Sequence, residues 1–377
     1  MGNKKMGTGM MLNLLGAIFA YNIGSGFASG QEIVQYFSGW GSVGAILFVT
    51  IVTLLMMYTS YMAYAYAGRT RGLKDLNSIF KFYAGDTGGK VLTALPWIFN
   101  ACCYFFMISG FGNTLNQQWG IPLYIGCGLG VILSVGTTVL GLKRLVDVIG
   151  KIGPIVVVFS LLVGIAAAFH YFPLMDEGAA AVASGAVTPM TAGANVLLSA
   201  LSFGGCCLLL AAAYIGTLGH ELRDYKYKYT KIILGAATIG YPIACALLAF
   251  DHLGNIEAAA SAAIPNLLLA DTAFGAASGI LSILFAIVIL LAIYSTICPM
   301  LWTCVSTFIK DEKSIKYKLA CVIIGVVVYV VCLFVPYQTL VNYIMTYCGY
   351  TGIIVCVVCA IRHFTIKAKD KKEGLMV

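Results

Sequence analysis

Charge is what this chain has least of. Of its 377 residues only 10% are Asp, Glu, Lys or Arg, against about 25% in a soluble domain. That shortfall excludes a sizeable soluble domain. Enzyme signatures are missing too. The four histidines, His170, His220, His252 and His363, stand at or beyond the ends of apolar runs, and none forms a zinc motif such as HExxH. No Ser–His–acid set emerges, so an enzyme is not expected. The vicinal pairs Cys102-Cys103 and Cys206-Cys207 lack zinc-ligand spacing, and the 13 cysteines read as small packing residues between helices. No cofactor is called for on these grounds. The net charge of +8 would suit nucleic acid, but its distribution argues against such a partner.

What is present is apolar. Hydrophobic residues make up 60% of the chain and the mean hydropathy is +0.92, with several runs approaching the roughly 20 residues that cross a bilayer. The lipid bilayer is the expected surroundings of an all-α polytopic membrane protein. The opening MGNKKMGTGMMLNLLGAIFA imitates a signal peptide, but apolar character resumes as FASGQEIVQYF, so the segment is expected to stay and span. Met6 also fails the Ser/Thr requirement for myristoylation.

Ten spans are expected, over roughly 9–37, 41–67, 90–116, 122–141, 153–172, 194–219, 231–250, 275–308, 318–336 and 338–361. Lys and Arg test this count. With a cytoplasmic N-terminus, all 23 basic residues fall in inside segments, while the outside segments hold acids such as Asp176, Glu177 and Asp271. Both termini are therefore expected on the cytoplasmic side of the plasma (inner) membrane. The outer loop 251–274, interrupted by Pro265, reads as two short helical pieces, either a packed loop or an outer lid. The expected divisions are residues 1–172 with five spans, a loop at 173–193, residues 194–361 with five more, and a basic tail at 362–377.

Five is odd, so the second set enters the membrane from the opposite side. Inverted repeats of this kind recur in secondary transporters, with solute bound where the first helix of each repeat is interrupted. Span one carries Gly24-Ser25-Gly26 and then Ser29-Gly30; span six carries Ser202-Phe203-Gly204-Gly205. Both first helices are thus expected to be broken. Unwound backbone survives in a membrane only where protein or a polar cavity satisfies it.

With these breaks the chain resembles the LeuT-fold (amino acid–polyamine–organocation) superfamily of secondary transporters. The stretch GSGFASGQEIVQYFSGWGSVG is most similar to the YkvI-like membrane proteins. The resemblance implies a 5+5 inverted repeat and alternating access, with Na⁺ between helices one and eight. Its ligands would be the carbonyls of Ala20, Ile23 and Ala292 and the hydroxyls of Ser295 and Thr296. Five neutral oxygens suit a hard monovalent cation. The plainer reading is that Ser295 and Thr296 bond back to a carbonyl one turn earlier.

The implied solute cavity would draw on Asn22, Gly24, Ser25, Gly26 and Ser29 of span one, and on Asn100, Cys103, Tyr104 and Met107 of span three. Span six would add Ser199, Ser202, Phe203, Gly204 and Gly205, and span eight Phe285. No buried Lys or Arg is at hand for an anion, which points to a small zwitterion or neutral solute, an amino acid or a relative. Glu32 is the one charge well inside a span, which marks it as functional by default. It lies six residues past Gly26, about 9 Å along a continuous helix, and so is expected not to touch solute at the break. Structural support of helix six, proton coupling and recognition of a cationic group all remain open for it. Proton coupling is the rival to Na⁺; a channel or a non-transporting sensor is the rival to a transporter. The oligomeric state is not legible.

Overall fold

The computed structural model describes residues 4–22, 25–140 and 146–373. Sixteen α-helices and short 3₁₀ turns make up nearly all of these residues. The first expected span is divided into α1 (Thr8–Asn22), α2 (Ser25–Ser29) and α3 (Gln31–Tyr36). Then follow α4 (Val43–Arg71), α5 (Leu76–Trp119), α6 (Leu123–Leu140), α7 (Val146–Tyr171) and α8 (Met175–Ala183). The second half holds α9 (Val196–Leu209), α10 (Ala211–Glu221), α11 (Tyr227–Gly254), α12 (Ile256–Ser261) and α13 (Pro265–Ala273). It ends with α14 (Ser278–Ser306), α15 (Ile315–Phe334) and α16 (Tyr337–Lys372).

Among the described residues eight helices are long and apolar enough to cross a membrane, and α9 with α10, bent by 54°, makes a ninth. Their outward faces are those of lipid-facing helices. On α4, Leu47, Ile51 and Leu55 stand about half exposed, while Val49, Thr53, Met57 and Ser60 on the opposite side are buried. Such stripes would be an aggregation liability in water.

Start and stop signals account for the helix bounds. Ser42 caps α4 by accepting from the Ala45 amide, and Asp75 caps α5 by accepting from the amide and hydroxyl of Ser78. Those bonds hold the Asp75 carboxyl below its ordinary range. With that cap α5 begins well before residue 90, kinks at Gly85 (φ 75°), and absorbs most of the expected inner loop.

Residues 362–372, expected as a tail, continue α16 instead. They are held there by Asp370, only 2% exposed, which accepts from Arg71 at 2.8 and 2.9 Å and from the Tyr66 hydroxyl at 2.6 Å. Nearby, Arg69 donates to the carbonyls of Leu222 and Tyr225, and Lys4 pairs with Tyr225. These contacts gather the segment before α1, the connections after α4 and α10, and the last turns of α16 onto one basic face. Because Asp370 is buried but Arg71 is a third exposed, Asp370→Ala is expected to destabilise by about 2 kcal/mol. A double-mutant cycle with Arg71→Ala, read from thermal midpoints in detergent, would show coupling; additive losses would refute the latch.

Candidate functional site

Gly30 shapes the site. Its φ of 83° is left-handed, which separates α2 from α3 and turns the chain between them. The Glu32 side chain then points back along α3 rather than lying a helical rise away, and a Cβ on Gly26 would collide with its carboxylate. The expected 9 Å separation is therefore wrong: Glu32 sits at the break, in the space that Gly26 leaves by having no side chain. Glu32 is 7% exposed, and among the described residues no hydrogen-bond donor reaches its carboxylate. Support of helix six is thus not seen, since no amide of α9 or α10 contacts it there.

The carboxylate faces a cavity of about 930 Å³. Asn22, Gly26, Asn100, Cys103, Met107 and Phe203 line it, together with Ala292, Ser295 and Thr296. Ile23 and Gly24 lie outside the described residues, as do the side chains of Ala20 and Ser25. From Glu32, Phe203 and Tyr241 the cavity runs past Leu210 to Tyr214, Asn13 and Leu12, on the side of the basic face. Tyr241, Cys206 and Cys207 were not expected. Tyr241 is an aromatic next to an intrahelical proline, Pro242, which is the one signal that marks it.

Other expected residues are engaged elsewhere. The Ser29 hydroxyl donates to the Gly26 carbonyl and accepts from Tyr337, in the closed end of the site. Tyr104 turns to α6 and bonds Ser134 at 2.7 Å. Ser199 donates to the Tyr36 carbonyl, and Ser202 to the carbonyls of Met345 and Thr346. Phe285 is buried against Phe159, with ring centroids 5.6 Å apart. Gly204 and Gly205 do not break their helix. Gly204 makes room for Met56, and Gly205 meets the backbone of Gly349, so these glycines serve close helix packing, and the bend falls at Leu210 instead.

Ser295 and Thr296 donate to the Ala292 carbonyl at 2.7 and 2.8 Å, which is the plainer arrangement. The Ala292, Ser295 and Thr296 oxygens are the part of the expected cation set that the described residues bring together at the cavity wall. Cys356 and Cys359 have the spacing of a zinc pair, but among the described residues no group of three His, Cys, Asp or Glu side chains is placed to hold a metal ion.

The opposite end is shut. Asn266 donates to the carbonyls of Phe27 and Ala28 at 2.8 and 3.1 Å. Gln35 donates to the Gln338 carbonyl at 2.9 Å, and Asn342 bonds Gln35 and the Thr191 carbonyl, both at 3.0 Å. Gln117 makes a two-way bond with the backbone of Ile264, and Gln338 donates to the Ala262 carbonyl. Thus α12, α13 and residues 262–264 between them, read from sequence as a loop or lid, cover the cavity's far side.

This architecture recurs in solved transporter structures. The chain matches the Eremococcus coleocola manganese transporter mutant H236A with a TM-score of 0.54 and 15% identity, over 93% of this chain and 78% of that one. It matches MhsT in complex with L-phenylalanine (TM-score 0.53, 16% identity, 88% and 80% covered). Mhp1, a nucleobase-cation-symport-1 family transporter, gives a TM-score of 0.53 and 18% identity over 89% of this chain and 74% of that one. The chain is a membrane protein with the LeuT fold, and the manganese transporter and Mhp1 are described as transporters. In sequence it is similar, at 26% identity over 237 residues, to the uncharacterized membrane protein YkvI of Bacillus subtilis (strain 168), covering 62% of this chain and 64% of YkvI. The protein YyaD of the same organism is 26% identical over 153 residues, covering 41% of this chain and 42% of YyaD. The matched stretches span less than two thirds of either relative. No family model matches the chain.

Proposed function

We propose that this protein is a secondary active transporter that moves a small organic solute by alternating access, coupled to Na⁺. The observation that carries this is the cavity itself, which reaches toward the basic face and is shut toward the other by paired polar side chains. A passage closed at one end is what alternating access requires of each of its states. Its closed end speaks against a channel, which needs a polar path through the whole thickness.

In this reading the ten spans form two inverted sets of five, with α1 to α3 and α9 with α10 as the interrupted first helices. The 54° bend at Leu210 and the left-handed Gly30 support that pairing. The basic face is cytoplasmic, in keeping with the placement of Lys and Arg, and the membrane is the plasma (inner) membrane. Ala20, Ile23, Ala292, Ser295 and Thr296 supply the Na⁺ oxygens. Coupling follows if Na⁺ binds one state more tightly than the other.

The test is counterflow and uptake in proteoliposomes, using solutes chosen from a thermal-shift screen of amines and amino acids with and without Na⁺. Saturable accumulation driven by an inward Na⁺ gradient is expected. Flux that never saturates would replace the transporter with a channel, and a proton gradient that drives uptake without Na⁺ would replace the coupling ion.

A further inference from the structure

We infer that the cavity recognises an organic ammonium group through the Glu32 carboxylate, so that the cargo is an amine without a carboxylate of its own. The inference rests on the transport reading only in taking this cavity as the solute site. Its first support is charge. Among the described side chains lining the cavity, Glu32 alone carries a formal charge. A carboxyl so buried and without donors among the described residues either holds a proton or meets a counter-cation, because an unpaired charge away from water is costly, and a cationic solute in the cavity supplies the second.

The second support is the balance of hydrogen-bonding groups. Several donors on the inner walls are engaged within the protein, while the Asn13 amide and the Tyr214 hydroxyl line the cavity nearer its mouth. Tyr21 donates to the Leu210 carbonyl at 2.6 Å, Asn22 to Ile18 at 3.0 Å, and Asn100 to Met300 at 3.2 Å. Ser295 and Thr296 both give their protons to Ala292. What these groups leave toward the cavity is lone pairs: the Glu32 carboxylate, the Asn100 Oδ1 and the Ser295, Thr296 and Tyr21 oxygens. An ammonium group has donors and no acceptor, so it complements such walls. Among the described residues around Glu32, a carboxylate meets acceptors.

The third support is the aromatic lining beside Glu32. Phe27 and Tyr241 lie with ring centroids 6.0 Å apart, and Phe203 stacks on Tyr241 at 6.5 Å. All three rings line the cavity with Glu32. Ring faces attract a cation that has shed part of its water, and they accept the hydrocarbon part of an arylalkyl or alkylamine.

The test uses the full-length protein in detergent and three probes of one skeleton: phenethylamine, phenylalanine and 3-phenylpropionate. Thermal midpoints are recorded for each with and without Na⁺, in the wild type and in Glu32→Gln. Phenethylamine is expected to raise the wild-type midpoint more than phenylalanine does, and 3-phenylpropionate to leave it unchanged. Glu32→Gln is expected to weaken the amine at least about 10-fold, the size of one charge-assisted hydrogen bond.

Four outcomes overturn the inference: no amine response in the wild type, a stronger response to phenylalanine or 3-phenylpropionate, an equal amine response in Glu32→Gln, or a Na⁺ response lost in Glu32→Gln while amines do nothing. The last would make Glu32 an ion ligand. The comparison of three probes on the wild type needs no variant, so misfolding of Glu32→Gln cannot hide the result. Amine binding without Na⁺-driven uptake would defeat the transport reading and leave this one standing.

Discussion

Gly205→Leu is expected to yield no monodisperse folded protein, and Gly205→Ala a protein weakened by about 3 kcal/mol, the upper end of what overpacking usually costs. The reason is the seam between α9 and α16. A Cβ on Gly205 would run into the Gly349 carbonyl, one on Gly352 into the Gly205 carbonyl, and one on Gly349 into the Ser202 carbonyl. The clashing atoms are backbone on both sides, so no side chain can swing away. Nor can the helices slide apart cheaply. Ser202 donates across the seam to Thr346 at 2.9 Å, and the Cys206 thiol to Met345 at 3.0 Å. Gly136 of α6 has open space where a Cβ would go, and Gly136→Ala should be neutral or stabilise by up to about 1 kcal/mol through helix propensity. Size-exclusion profiles and thermal midpoints decide the matter. A Gly205→Leu protein that melts with the wild type would show that the seam tolerates separation.

Replacing Ser295 and Thr296 together by Ala is expected to abolish the Na⁺ dependence of stability and of uptake. Each hydroxyl supplies one of five proposed ligands, and both lean on the Ala292 carbonyl, a third. Removing one hydroxyl leaves the other to hold that carbonyl in place; removing both takes away two ligands and the restraint on another. The loss should exceed about 100-fold in apparent Na⁺ affinity, or roughly 3 kcal/mol. Solute binding in the absence of Na⁺ should survive, since the Glu32 carboxylate and its aromatic neighbours are untouched. Melting curves over a Na⁺ series, with choline keeping ionic strength constant, give the measurement. A double variant with an unchanged Na⁺ response would remove these residues from the ion site.

Elements set by long apolar runs were plainly legible. The expected spans 41–67, 122–141 and 318–336 correspond to α4, α6 and α15 within a few residues. The loop split by Pro265 is indeed two short helices, with Pro265 as the first residue of α13, where its missing amide costs nothing. Helix ends carrying charge were less legible, because a cap at Asp75 or an ion pair at Asp370 extends a helix where hydropathy has already fallen.

Within the site, residues at a three- and four-residue spacing on span three were found by pattern, and Asn100, Cys103 and Met107 do share the cavity. Tyr104 does not, since its hydroxyl finds Ser134 on a helix that spacing along one chain says nothing about. Gly204-Gly205 looked like a lesion because a glycine pair reads the same whether it frees backbone or lets a neighbour in. Glu32 was misplaced for a different reason. A count of residues assumes one continuous rise, and the left-handed turn at Gly30 is invisible to that count.

The shut end of the cavity has one more consequence. It is fastened largely by carboxamides, Asn266, Gln35, Asn342, Gln338 and Gln117, rather than by interlocked leucines. When such bonds part in the presence of water each is exchanged for one to solvent, so the net loss is only about 0.5–1.5 kcal/mol apiece. A dry apolar plug would resist wetting, whereas this closure unfastens into its own hydration. Two conformers separated by a few such exchanges stay within reach of each other thermally, and the binding of one small ion or solute is enough to tip the balance between them.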